Sequence, residues 1–206
     1  MLCMGEISPQ LADNEAWVDQ TFEKCDDILH RQVYLGQGRQ EGLLVYVEVA
    51  VSNLMLEEHV IGLSDVQPLK SYEEGKAALL AGNGLLFLDG DTNCYKISSK
   101  GYPGLGVKKA ENEKVIRGSQ EAFTESEKIN VALIRKRLRD SRMKVEEQTV
   151  GVRSHTMTAL VYMEDLIYQG LLTTMKQQLQ RYEIDGILDS GMLEQLSEKH
   201  WLSPFP

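Results

Sequence analysis

Apolar residues recur along this chain with two periods, and the switches between them mark its elements. Between Ala12 and Leu29 they return at helical spacing, at Trp17, Phe22, Cys25 and Leu29, behind Asp13 as a capping side chain. Residues 28–35 then alternate as a strand does, and Gly36-Gln-Gly38 supplies a turn. The run Leu43-Leu-Val-Tyr-Val-Glu-Val reads as a buried strand. Helices are predicted over 53–61 and 72–81, the second stopped by Gly82. Leu85-Leu-Phe-Leu88 is a strand, with 93–98 as its hairpin partner.

A loop interrupts this series. Gly101-Tyr-Pro-Gly-Leu-Gly106 and the polar residues 108–114 form the best candidate boundary. Beyond it, Thr124-Glu-Ser-Glu127 has the form of a capping box and opens a helix over 125–139. Its apolar side, with Ile129, Ala132, Leu133 and Ile134, is wide enough to pack in two directions, as a connector would. Strands over 143–150 and 157–163, a helix over 170–182, a short strand over 184–188 and a helix over 192–199 complete the pattern.

Leu44-Val-Tyr46-Val-Glu48 lines up with Leu160-Val-Tyr162-Met-Glu164, 116 residues later. Each stretch follows an alternating strand and precedes a helix. A repeated unit and a chance likeness of two "apolar strand, then helix" segments both fit. The pattern predicts an α/β protein of two small mixed-sheet lobes joined by a linker helix. The expected divisions are an N-terminal lobe over 1–110, a connecting loop and helix over 111–141, and a C-terminal lobe over 142–206.

Composition narrows the function. The 206 residues carry a formal net charge of −9, which disfavours nucleic acid and anionic lipid unless basic residues are segregated. Cys3, Cys25 and Cys94 are odd in number and widely spaced, a poor disulfide framework that suits a reducing compartment. No signal-peptide pattern opens the chain and no apolar run approaches the ~18 residues of a spanning helix. The expectation is a soluble intracellular polypeptide, which could still belong to a longer membrane protein.

The chemical motifs are weak. Gly101-x-x-Gly104-x-Gly106 lacks the helix that must follow a phosphate-binding loop, so a structural turn is the better account. Asp89-Gly-Asp91-Thr-Asn93 starts like a calcium loop, but Cys94 and Lys100 fall where glycine and glutamate are needed; a hairpin turn fits better. His30, His59, His155 and His200 stand in no metal-ligand spacing. No nucleophile motif is present, and the reading is of a non-enzymatic chain with no cofactor and no metal. The basic stretch from Arg135 to Lys144 has no aromatic interleaving for bases. Pairing with nearby acids, with Glu121 and Glu127 available, is favoured over an anionic partner.

The stretch Val115-Ile-Arg117-Gly118-Ser-Gln-Glu121-Ala-Phe123-Thr-Glu125, followed by Asn130-Val-Ala-Leu133-Ile-Arg135-Lys-Arg137-Leu-Arg139-Asp140, carries more information. It resembles the signature of the A subunits of spore germinant receptors, the GerA family: Val-Val-Arg-Gly-Pro-Arg-Glu-Gly-Phe-x-Glu, then Asn-x-x-Leu-Ile-Arg-Arg-Arg-Ile-Arg-Asp. Val161-Tyr-Met-Glu-Asp-Leu, the stretch from Tyr182 to Gly191 and Ser203-Pro-Phe-Pro206 are also similar to that family. Ser119, Gln120, Ala122, Leu105 and Lys109-Ala110 depart from it, altering a turn and removing a charge.

The resemblance implies a subunit that continues into a membrane region and assembles with B and C subunits and other A subunits in the inner spore membrane. This segment would lie on the spore-core side, in a receptor that answers nutrients by triggering germination. The residues expected to carry the junction between lobes are Arg117, Gly118, Glu121, Phe123, Glu125, Asn130, Arg135 and Arg137. Gly118 would allow a tight turn, Phe123 would anchor the loop in the core, and the arginines and glutamates would pair across the junction. Holding the fold together is the plain alternative for the same residues. A second functional reading is a small-molecule germinant or an ion bound in a cleft between the lobes.

Overall fold

The structure is a computed structural model that describes residues 5–36, 40–49, 66–98, 122–181, 185–186 and 191–192. Cys3, the helix expected over 53–61, the glycine-rich loop at 101–106, and Arg117, Gly118 and Glu121 lie outside those residues, as does most of 184–199.

Helix α1 (Leu11–Thr21) leads through a turn into β1 (Ile28–Leu35) and β2 (Gln40–Val47). Then follow β3 (Val66–Leu69), α2 (Tyr72–Leu80), β4 (Gly84–Leu88) and β5 (Cys94–Ile97). These strands form one sheet in the order β1-β2-β4-β5-β3, with every neighbouring pair antiparallel. Strand β2 lies inside the sheet, and each residue from Gly42 to Val47 is buried, so both of its faces are covered. Helix α1 packs on β2 and β4, and α2 on β2, β4 and β5. Gly42 is needed where it stands: a Cβ there would meet the Phe87 carbonyl oxygen at 3.0 Å.

Helix α1 is shorter than its apolar spacing suggests. It ends at Thr21, and Phe22 and Cys25 reach the core from the following turn. Asp13 does not cap it; Gln10 is the N-cap, and Asp13 instead accepts the Ser8 hydroxyl at 2.7 Å. The fully buried Asn14 accepts the Tyr72 hydroxyl at 2.7 Å and donates to the Ser8 carbonyl at 2.9 Å, joining α1 to α2. Trp17 stacks on Tyr72 at 4.5 Å beside this contact. Strand β3 escapes the sequence pattern because it is short and holds Pro68, which is tolerated on the edge beside β5.

The second sheet is the hairpin of β6 (Met143–Val150) and β7 (Thr156–Met163). Helix α3 (Glu127–Arg137) precedes it and α4 (Gln169–Arg181) follows it. At the 116-residue offset β2 falls on β7, and β1 with β2 and β6 with β7 each pair two eight-residue strands over their full length, though β1 falls one residue out of step with β6. The hairpin's own core is small, with Val131, Met143 and Val145 buried. A two-stranded hairpin is marginal alone. This one is joined to the first sheet by a parallel bridge between Cys25 and Val145.

Candidate functional site

The place to look is the seam between the two sheets, because the family-like residues of α3 lie on it. Its backbone frame is the turn at 22–27. Lys24 takes the left-handed conformation (φ 61°), and its carbonyl accepts the Val145 N–H at 2.9 Å. The Asp26 N–H donates to the Val145 carbonyl at 2.9 Å, and the Glu48 N–H to the Asp27 carbonyl at the same distance. These bonds tie β6, the turn and the end of β2 into one strip.

Arg135 fills the centre and is fully buried. Its Nε donates to Asp27 Oδ2 at 2.9 Å and its Nη2 to Oδ1 at 2.8 Å, a two-toothed fork on a carboxylate that is itself 4% exposed. Nη1 donates to the carbonyls of Met143 (3.0 Å) and Asp140 (3.2 Å). One guanidinium thus binds the turn before β1, the loop after α3 and the first residue of β6. Burial opposes the charge of Arg135, but the Asp27 hydrogen bonds and charge overcome it and the proton is held more tightly than usual. Cys25 Sγ donates to the Met143 carbonyl at 3.5 Å, and burial pushes its thiol up, away from nucleophilic use. Cys94, under α2, is pushed up to about 12 by burial.

Helix α3 packs in two directions, as its wide apolar side predicts. Ala132 joins the core of the five-stranded sheet, while Val131 and Ile134 join the hairpin cluster. Its N-cap is Ser126, whose hydroxyl accepts the Ile129 N–H, rather than Thr124 of the expected capping box. Asn130 takes over the reciprocal bonding: Oδ1 accepts the Thr124 N–H at 2.7 Å and Nδ2 donates to the Thr124 carbonyl at 2.8 Å. Asn130 therefore fixes the path of the chain into the helix.

The remaining expected residues divide. Glu125 and Arg137 are exposed at either end of α3. Phe123 is 68% exposed, so it does not anchor the loop in the core of this chain; the loop's entry is fixed by Asn130 instead. The basic stretch pairs internally: Arg142 holds Asp140 and, at 2.6 Å, Asp165, and the buried Lys144 lies 3.4 Å from Glu164. Arg142 draws Asp140 down to about 2 by hydrogen bonding and charge. Asp27 is the member of the site that the sequence did not flag, since its partner lies 108 positions away.

The other motifs resolve as structure. Gly90 (φ +79°) makes the turn between β4 and β5, and Asp91 spends its oxygens on Asn93 and on the Tyr95 hydroxyl at 2.6 Å. His30 faces Glu15 and Asp19 on α1. No group of three His, Cys, Asp or Glu side chains among the described residues could hold a metal ion. A groove of about 340 Å³ is lined by Val18, Phe22, Lys24, Asp26 and His30 with their neighbours, all from α1, the turn and β1. The groups of this seam are spent on holding the two sheets together.

Comparison with known proteins now identifies the family. A model of the "Bacillus/Clostridium GerA spore germination protein" matches residues 53–206. The chain belongs to the GerA family of spore germination proteins. Among curated relatives, spore germination protein KA of Bacillus subtilis is 27% identical over 97% of this chain and 41% of its own length. The uncharacterized membrane protein YfkQ of the same organism is 29% identical over 97% of this chain and 43% of its own length. GerLA of Bacillus cereus is 30% identical over 77% of the chain and 32% of its own length. The chain thus spans less than half the length of these relatives. In fold it is similar to the crystal structure of the N-terminal domain of the A subunit of the Bacillus megaterium spore germinant receptor GerK3. That similarity has a TM-score of 0.72 at 20% identity, over 99% of this chain and 84% of the other. The α/β architecture is therefore shared with that GerA-family domain. Among the described residues no helix is long and apolar enough to cross a membrane.

Proposed function

We propose that this chain is the N-terminal module of a nutrient germinant receptor A subunit, non-catalytic, and that it serves receptor assembly and signal transduction by contact. The observation that carries the reading is the Arg135–Asp27 fork. Among the described residues of the family-like stretch, the fully buried Arg135 is spent on joining two sheets. In this reading 1–110 and 142–206 act as two lobes and 111–141 as their connection. The partners are the B and C subunits and other A subunits, and the receptor sits in the inner spore membrane with this module on the core side. Arg117, Gly118 and Glu121 belong to the same junction.

The test uses the full-length receptor in spores and the isolated chain in parallel. Arg135→Lys keeps the charge but loses the fork; Arg117→Ala and Glu121→Ala probe the loop. The expected result is a loss of germination response or receptor assembly larger than the loss of melting temperature accounts for. Normal germination in all three variants overturns the proposal, and losses that follow melting alone leave the residues as fold maintenance. For Arg135→Ala the isolated chain is expected to lose about 3–5 kcal/mol, because Asp27 stays buried without a partner.

One observation favours a second reading, a small-molecule germinant bound by this module: the groove beside β1 offers Lys24, Asp26 and His30 around an apolar floor of Val18 and Phe22. Calorimetric titration with amino acids, sugars and nucleosides decides it, and uniformly absent heat ends it.

A further inference from the structure

Strand β6 is held on four sides, and three consecutive residues make the contacts. The backbones of Val145 and Glu147 turn toward the first sheet. The Val145 N–H donates to the Lys24 carbonyl and its carbonyl accepts the Asp26 N–H, both at 2.9 Å, and the Glu147 N–H donates to Asp26 Oδ2 at 2.7 Å. Glu146, between them, lies opposite Leu160 and turns its backbone to β7. Side chains alternate across a strand. Val145 packs with Val131 of α3 on one face. Glu146 points to the other face and meets α4 there. One of its carboxylate oxygens accepts the Tyr162 hydroxyl, and the other accepts the Lys176 ammonium.

Among the described residues, helix α4 is lightly held. Of its 13 residues Leu172 alone is buried. Thr173 and Thr174 spend their hydroxyls on carbonyls of the helix itself. Past its end, the Asp185 carbonyl accepts the N–H groups of Arg153 and Ser154 at the tip of the hairpin, both at 3.0 Å. The Lys176–Glu146 pair lies between these points and is shielded, with side chains 31% and 23% exposed. A carboxylate this far buried that loses its ammonium is poorly satisfied, and a shift of β6 that turns it to water relieves it. The residues on either side of Glu146 carry the rungs of the seam, so such a shift acts on them directly. Gln148 Nε2, two positions along the same face, is buried without an acceptor, a cost that the same shift can relieve.

We propose that Glu146 couples α4 to the seam: its side chain clasps α4 while its two neighbours bond the turn at 22–27, so the docking of α4 and the closing of the seam favour each other. Detachment of α4 loosens the seam, and opening of the seam loosens α4 by the same factor, because coupling between two equilibria is reciprocal. The coupling is a property of the chain itself. Only its use as a germination signal rests on the receptor reading, and the two are tested apart.

The test is amide exchange on the 206-residue chain at one fixed pH. Lys176→Met keeps an apolar stem and removes the charge. It is expected to lower protection several-fold at Met175 and Gln177 of α4 and also at Asp26, Val145 and Glu147. Amides of Glu146 and Leu160, which face each other inside the hairpin, keep theirs, as do Leu44 and Leu86 inside the first sheet. Lys176→Arg, which keeps the charge, retains protection at both places. Asp26→Ala weakens the seam from the other side and is expected to lower protection in α4 as well. No loss at the seam in Lys176→Met, or unchanged α4 protection in Asp26→Ala, overturns the proposal. An equal loss at Glu146 and Leu160 overturns it too, because the clasp then only maintains the hairpin.

Discussion

At the scale of single residues, two positions show how far their neighbours decide their role. Arg135 opens a stretch of six basic residues that reads as a solvated surface, yet it is drawn fully inside. A buried guanidinium is sustainable only where its donors are met, and here four of them reach Asp27 and two carbonyls at 2.8–3.2 Å. Gly42 shows the opposite demand, for absence of side chain. Gly42→Ala is expected to destabilise the chain by about 1–3 kcal/mol, because the new methyl group presses on the Phe87 backbone and on Leu86 and Leu88. Chemical denaturation of the variant checks it; an unchanged midpoint would mean that β2 and β4 can part without cost.

At the scale of elements, the sequence located α3 well and its start less well. Thr124-Glu-Ser-Glu127 contains two hydroxyls that can cap, two residues apart, and local pattern cannot choose between them. The choice of Ser126 follows from Asn130, which holds the Thr124 backbone by both its amide atoms and leaves the helix to begin later. Asn130→Ala is expected to cost about 1–3 kcal/mol, since it strands a half-buried N–H and carbonyl. Ser126→Ala should cost less, about 0.5–1 kcal/mol, because its capping bond is long at 3.5 Å. Thermal melting of the two variants checks the order; a larger loss for Ser126→Ala would refute the role given to Asn130. The two hairpins carry the same lesson: strands of equal length pair in each, yet the first pair becomes the edge and the adjoining strand of a five-stranded sheet and the second forms a two-stranded sheet.

At the scale of the whole molecule, charge governs how the parts respond to their surroundings. The basic stretch that begins at Arg135 pairs with Asp27, Asp140, Asp165 and Glu164 within a chain of net charge −9. Asp140 is held down to about 2 by Arg142. A carboxyl lowered in the fold stabilises it above the unfolded value near pH 4 and loses that contribution as pH falls toward 2. Asp140→Asn should therefore lower stability at neutral pH and flatten the acid limb between pH ~4 and ~2; an acid limb identical to that of the parent would exclude the Asp140–Arg142 pair as a contributor. Glu147, which burial raises above an ordinary glutamate, works with the opposite sign, so the two carboxyls shape opposite sides of the same stability profile.

The sequence by itself determined most elements, the glycine turn between β4 and β5 and, through the stretch from Val115 to Asp140, the GerA family. These are local properties, set by periods of 2 and 3.6 residues and by runs of neighbouring side chains. It could not place β3, whose four residues with a proline carry too little pattern, or end α1, whose apolar spacing runs on into the turn. Nor could it find Asp27, or foresee that Phe123 stays exposed, since both depend on which distant segments meet. Only the tertiary structure decided that a guanidinium on α3 would be neutralised by a carboxylate 108 positions earlier. Pairing across the chain is fixed by the burial of the two hydrophobic clusters, and the charged groups take whatever partners that packing brings within reach.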